Sequence, residues 1–202
     1  MDNIKEQTYW NKFINDNTIN TFNGWVGNYN TESKNVFYKF LNENNITSVL
    51  DVGCGTATIY DGIQQNCMRT IKYIGVDSCD YFVNMGKNKN VIKSDIRNIP
   101  FNDDNFEVVF GRHILEHQSD FESTLKEMIR LSNKFVVHIF FLKPSRDGEI
   151  EQNIINYDNN QDLYHNIFSK KLIELFLQNN IKVKSFKFEN INIKENMLVI
   201  EV

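Results

Sequence analysis

Apolar and polar positions change rhythm along this chain and divide it before any residue has a role. Over the first 45 residues the pattern is helical. In the second of two segments Val36, Phe37, Phe40 and Leu41 recur as one helix stripe, while Glu32, Lys34, Lys39 and Glu43 take other faces. Between the segments, Asn20 to Asn30 reads as a polar and aromatic connection, with Trp25 and Tyr29 among Gly24, Gly27 and several Asn. From residue 46 short β-branched runs alternate with helix-like stretches. The runs are Ser48 to Val52, Lys72 to Val76, Asn90 to Lys93, Phe106 to Phe110 and Lys134 to Phe141. Parallel strands need long crossovers and are buried on both faces, so this alternation predicts a parallel sheet with helices on each side.

Past the fourth run, Ser119-Asp-Phe-Glu122 has the form of a capping box, and Phe121, Leu125, Met128 and Ile129 give the next helix one apolar stripe. A polar connection containing Pro144, Arg146 and Gly148 continues to about Phe168, and Ser169 caps a helix carrying Leu172, Ile173, Phe176 and Leu177. Two closing runs, near Val183 to Phe188 and Met197 to Val202, have no helix between them and predict an antiparallel hairpin. The lysines of Ile181-Lys-Val-Lys184, with Lys187, keep a strand's period of two and read as a solvated edge.

Composition narrows the function. A chain of 202 residues with 41% hydrophobic and 13% aromatic content fits one domain with a substantial core. The net charge of −4 lacks the basic footprint of a nucleic-acid binder. Cys54, Cys67 and Cys79 follow no framework spacing, which predicts free thiols in a reducing compartment. The longest apolar run, Phe135 to Leu142, is too short to span a bilayer, and no leader pattern opens the chain, so the expectation is a cytoplasmic protein without a membrane partner. The 30 Asn against a single alanine, Ala57, reflect genome composition rather than chemistry.

Chemistry concentrates in Val49-Leu-Asp-Val-Gly-Cys-Gly-Thr-Ala57. A buried strand runs into Gly53 and Gly55, whose missing side chains allow tight turns and close ligand approach ahead of a helix N-terminus. A dinucleotide fingerprint wants a small residue where Thr58 stands, and Asp51 at the strand end would repel a pyrophosphate; it suits a ligand with a cationic group. Tyr73-Ile-Gly-Val-Asp77 ends a second strand in an acid able to accept both hydroxyls of a ribose. Val91-Ile-Lys-Ser-Asp95-Ile96 ends a third in an acid followed by an apolar residue fit to lie against a purine.

These motifs, with Ile99-Pro-Phe-Asn-Asp-Asp-Asn-Phe-Glu-Val-Val109 and with Leu115-Glu-His117, resemble the class I S-adenosylmethionine-dependent methyltransferases of the small-molecule branch, over about residues 46 to 142. The resemblance implies a three-layer, Rossmann-like α/β fold with a seven-stranded, mostly parallel sheet and a C-terminal antiparallel hairpin. It divides a single domain, 1–202, into a helical cover (1–45), a cofactor-binding core (46–142) and a substrate-side segment with the hairpin (143–202). It implies S-adenosyl-L-methionine as cofactor, leaving as S-adenosyl-L-homocysteine. Gly53 and Gly55 would pass under the methionine moiety, with Asp51 orienting its amine or the glycine loop. Asp77 and the adjacent Ser78 would hold the ribose, Asp95 the adenine amino group and Ile96 the ring edge. Gly111 and Arg112 would face the methionine end and the acceptor, a small molecule methylated on oxygen or nitrogen. An inactive cofactor-binding partner subunit and a nicotinamide-dependent oxidoreductase are the alternatives.

Three histidines are candidate bases. His113 and His117 belong to a His-x-x-Glu-His pattern that zinc proteases also use in inverted form, but the first His follows a strand directly, so no metal is expected. His117 reads equally as a base or as a packed residue at a helix start. His165 lies in the segment that closes the substrate pocket in this superfamily, and a surface loop is its plainer reading. His138 reads as a core residue, Cys54 as a small side chain that fits its turn, and Trp25 with Tyr29 as pins for the N-terminal helices or as a lid.

Overall fold

In the computed structural model of the chain, residues 10–12, 14, 17–144, 151–156 and 162–202 are described, with the backbone alone for 151–156 and 162–165. The first helices are α1 (Ile19–Val26) and α2 (Glu32–Glu43). The alternating part gives β1 (Ser48–Val52), α3 (Thr58–Asn66), β2 (Lys72–Asp77), α4 (Asp80–Met85), β3 (Val91–Lys93), β4 (Phe106–Arg112), α5 (Phe121–Leu131) and β5 (Ser132–Phe140). Then come β6 (Glu151–Asn156), β7 (Asp162–Ile167), α6 (Lys170–Gln178), β8 (Ser185–Asn190) and β9 (Asn196–Glu201).

The main sheet runs β3-β2-β1-β4-β5-β9-β8, with β1 to β5 parallel and β9 antiparallel to both its neighbours. Val52 lies level with Val76 on one side and Gly111 on the other, so the glycine turn and the ends of β2 and β4 meet at one edge. Such an edge, where the strand order reverses about β1, is where α/β sheets form their ligand crevice.

Each face of the sheet carries its own core. Leu50, Val52, Val109, Leu125, Met128 and Leu198 pack on one side. Phe37, Val49, Ile59, Val108, Phe110 and Val199 pack on the other. Alternate residues of one strand enter opposite cores, which is the period of two at work. A third, small cluster joins Ile14 and Phe22 of the N-terminal part to Cys79 and Phe82.

Several expectations need correction. The connection expected over Asn20 to Asn30 is largely the helix α1, despite Gly24 and two Asn; burial of Phe22 against Phe82 and Trp10 outweighs weak propensity. Lys34 does not face solvent: it is 1% exposed. The cap of α5 is Asp120, whose side chain accepts from the Ser123 N–H, one residue later than the box that starts at Ser119. The polar connection after β5 contains the β6–β7 hairpin, pairing Ile154 with Tyr164 and Ile155 with Leu163, while Arg146 and Gly148 lie outside the described residues. Lys182 is no solvated edge residue. Its ammonium donates to the Ile129, Arg130 and Ser132 carbonyls and to Asp104, closing the C-terminal end of α5, where a cation is favoured.

Phe37 is fully buried and stacks on Phe110, with centroids 3.8 Å apart and planes at 20°. Phe37→Ala is expected to lower the unfolding free energy by about 3–5 kcal/mol, read from the midpoint of a urea titration at constant slope.

Candidate active site

The turn after β1 is built by backbone geometry. Gly53 and Gly55 adopt φ of 65° and 51°, a region that side chains rarely enter. A Cβ on Gly53 would lie 2.5 Å from Ile114 Cγ2, and one on Gly55 3.2 Å from Phe22 Cζ. Ala57 takes φ 52° with no exposure at the start of α3, where a larger or branched side chain would be strained and crowded.

Asp77 organises this turn. Its two carboxylate oxygens accept the N–H of Gly55 and the N–H of Cys79, each at 2.9 Å. Burial pushes its carboxyl up to about 6, against the pull of the Cys79, Gly55 and Ser78 N–H groups. Asp51, 2% exposed, accepts the Tyr73 hydroxyl at 2.7 Å; burial pushes it up to about 7, with Tyr73 and the Lys34 charge opposing. Asp95 is held by its own neighbour, accepting from the Arg97 backbone N–H, Nε and Nη2 at 3.0, 3.0 and 3.1 Å.

Opposite the turn stands a polar cluster gathered from distant elements. His113 has φ 59° directly after β4, its N–H donating to the Ile139 carbonyl at 2.9 Å. Its Nε2 lies 3.0 Å from Glu195 Oε1, in the turn between β8 and β9. Arg112 donates from Nη2 to the same oxygen at 3.2 Å, from Nε to Ser33 Oγ and from Nη1 to the Val26 carbonyl. Burial works against the charge of Glu195, but His113, Asn192, Ser33 and Arg112 together hold its carboxyl down at about 2. Desolvation lowers His113, so its imidazole is neutral at pH 7.

Lys34 completes the roof. Its ammonium donates to the Val26, Gly27 and Asn28 carbonyls at 3.1, 3.3 and 2.9 Å and to Thr58 Oγ1 at 2.7 Å, joining the end of α1 to the start of α3. Burial, with the charge of Arg112, lowers it to about 7.

A cavity of ≈ 440 Å³ opens between these groups. Asp51, Gly53, Gly55, Asp77, Ser78, Asp95, Ile96 and Arg112 line it, as do His113 and His117. Gly111 does not; it lies behind Ile114, whose Cδ1 would be 2.7 Å from an added Cβ. His165 lies in β7 opposite Asn153, and its side chain is outside the described residues. Sequence reasoning missed Lys34 and Glu195 as lining or supporting groups, and left the cavity aromatics Trp10 and Phe22 unnamed. Lys34 could have been found, because it stands three, four and seven residues before Phe37, Tyr38 and Leu41. Nothing local marks Glu195. The remaining parts of the His-x-x-Glu-His pattern diverge: the buried Glu116 accepts the Phe141 N–H and meets His138, and His117 stacks on Phe141 with centroids 5.5 Å apart.

The donor set fits a nucleoside with a cationic tail: acids at two strand tips, backbone approach at two glycines, and an apolar wall. A family model described as a methyltransferase domain matches residues 50–135. The demethylmenaquinone methyltransferase of Staphylococcus saprophyticus is 26% identical over 185 residues, covering 73% of this chain and 77% of that protein. Among solved structures, magnesium protoporphyrin IX methyltransferase from Synechocystis PCC 6803 with bound S-adenosylhomocysteine has a TM-score of 0.64 at 11% identity, covering 96% of this chain and 98% of that one. A methyltransferase from Clostridium acetobutylicum dependent on S-adenosylmethionine has 0.63 at 12%, covering 93% and 98%. Residues 50–135 form a methyltransferase domain, and the chain shares its fold with S-adenosylmethionine-dependent methyltransferases.

The domain match runs from Leu50 within β1 to Phe135 within β5. No helix among the described residues is long and apolar enough to cross a membrane.

Two predictions follow from the site. Gly53→Ala places a methyl group on Ile114 at a positive φ, and is expected to weaken S-adenosylhomocysteine binding at least tenfold in calorimetry while the far-ultraviolet spectrum stays native. The raised carboxyls of Asp51 and Asp77 contribute stability that is complete below their ordinary pKa near 4 and is lost as pH rises through about 6 to 7. The ligand-free melting temperature is therefore expected to fall between pH 5 and 7.5, and less steeply in Asp51→Asn.

Proposed function

We propose that the enzyme methylates an oxygen or nitrogen atom of a small-molecule acceptor. The observation that carries this reading is the meeting of two unlike walls in one cavity: the glycine turn with its carboxylates, and the His113–Arg112–Glu195 cluster across from it. When bound, S-adenosylmethionine supplies a methyl group already activated on a sulfonium. The chain's own contribution is then position and dryness. Phe22 and Trp25 of α1, with Trp10 before it, line the cavity on the cover side and limit water.

The residues divide the work by chemistry. Asp77 keeps lone pairs free after its two backbone bonds and is suited to ribose hydroxyls, with Ser78 beside it. Asp51 suits the amino end of the methionine tail, and Gly53 and Gly55 let that tail approach the backbone. Asp95 and Ile96 suit the adenine. Arg112 is tied to Glu195 and shapes the acceptor end, while Gly111 makes room for Ile114. The size of the cavity, the net charge of −4 and the named activity of the staphylococcal relative all favour a small metabolite over a nucleic acid.

Titration calorimetry is expected to show binding of S-adenosylmethionine and S-adenosylhomocysteine and none of NAD, with Asp77→Ala weakening S-adenosylhomocysteine about tenfold or more, as loss of charge-assisted hydrogen bonds requires. With methyl-labelled S-adenosylmethionine and a cell extract, label is expected in the small-molecule fraction. Label confined to RNA or protein would overturn the acceptor class.

A further inference from the structure

Of the three histidines whose side chains are described, one is placed to take a proton. His138 is fully buried within β5 with its Nε2 towards Glu116. His117 lies flat against Phe141 and meets Trp10 edge-on, with centroids 5.7 Å apart, as part of an aromatic wall. His113 differs from both. Like His117 it lines the cavity, but its ring is not stacked flat on a neighbour, and its strained left-handed backbone at the tip of β4 is pinned by the Ile139 carbonyl. Strain of this kind in a side chain that faces a ligand cavity persists only where surrounding structure over-determines it.

The ring is also committed at one nitrogen. Nε2 faces Glu195 at 3.0 Å, whereas Nδ1 has no hydrogen bond among the described residues and is not among the sealed, unpartnered buried atoms. Glu195 is itself fixed. Its Oε1 accepts from Arg112, its Oε2 accepts from Asn192 Nδ2 at 3.0 Å, and its backbone N–H donates to Asn192 Oδ1 at 2.8 Å. An acceptor-only carboxylate in that place requires the proton of a neutral imidazole to sit on Nε2, which leaves the lone pair on Nδ1.

We propose that Glu195 is the positioning residue that fixes His113 as the proton acceptor of methyl transfer, with Nδ1 as the receiving atom. The inference rests on the methyl-transfer reading above. An acceptor lone pair forms the bond to the methyl carbon as the S–CH₃ bond breaks, and that bond's electron pair returns to sulfur. The acceptor's own proton passes to Nδ1. The positive charge thus leaves the sulfur and appears on the imidazolium, where the Glu195 carboxylate faces it through Nε2–H until the proton departs to water. Glu195 touches neither partner of the reaction; it acts through the ring.

The test is the protonation of one ring. Nitrogen-15 NMR of histidine-labelled protein, with the His113 signals assigned by their loss in His113→Asn, is expected to show the Nε2–H tautomer at pH 7.5. In Glu195→Gln the His113 pKa is expected to fall by about one unit, a tenfold change in proton affinity. A wild-type ring protonated on Nδ1 overturns the proposal even if Glu195→Gln does not fold, and so does a His113 titration that Glu195→Gln leaves unmoved. Calorimetry of wild-type protein with S-adenosylhomocysteine separates the two levels: no binding defeats the methyl-transfer reading, whereas binding together with the wrong tautomer defeats this inference alone.

Discussion

Asp77 accepts one backbone N–H from the glycine turn and another from the start of α4, and much of the open end of the sheet depends on that double hold. The carboxylate stands almost without water at the tip of β2. Because it is tied to Gly55, the turn after β1 cannot move independently of β2, and because it is tied to Cys79, neither can α4. Parallel pairing of β1 with β2 and β4 brings the remaining strand ends to the same edge. A buried acid would ordinarily be a liability. Here it is the joint between three segments that the cavity needs side by side.

The cover follows the same logic with the opposite charge. Lys34 and Arg112 both donate to the Val26 carbonyl, and Lys34 also reaches the next two carbonyls. These oxygens end α1 and would otherwise lack partners within their own helix. The aromatic roof is therefore fastened to the sheet edge through its backbone, and the roof's side chains remain available to line the cavity. Trp25 illustrates the result, lining the cavity on one side and nearly half exposed on the other.

What could be read from the sequence was what the chain writes locally. The strands of the main sheet, the glycine turn, and the acids at residues 51, 77 and 95 are adjacent to the features that announce them, so period and spacing suffice. The hairpin β6–β7 was not legible, because its runs lack clean alternation among many polar residues. The helix α1 was hidden by Gly24 and its asparagines, since only contact with Phe82 and Trp10 makes it worth forming. Asp120 displaced Ser119 as a cap by one position, the ordinary scale of error where several capping residues are adjacent. Glu195 was invisible for a different reason: its partner His113 lies 82 positions away, and no window contains both.

The two walls of the cavity differ in how they are inherited along the chain. The wall built on the glycine turn draws that turn and its acids from one stretch, residues 51 to 96. The opposite wall is assembled from Ser33, Arg112, His113 and the turn Asn192 to Glu195, whose internal bonds, among the described residues, do not touch the first wall. A lineage that rewrites that four-residue turn changes the acid–base character of the chamber while every hydrogen bond of the glycine turn stays in place, so substrate range and cofactor use can diverge at different rates within one fold.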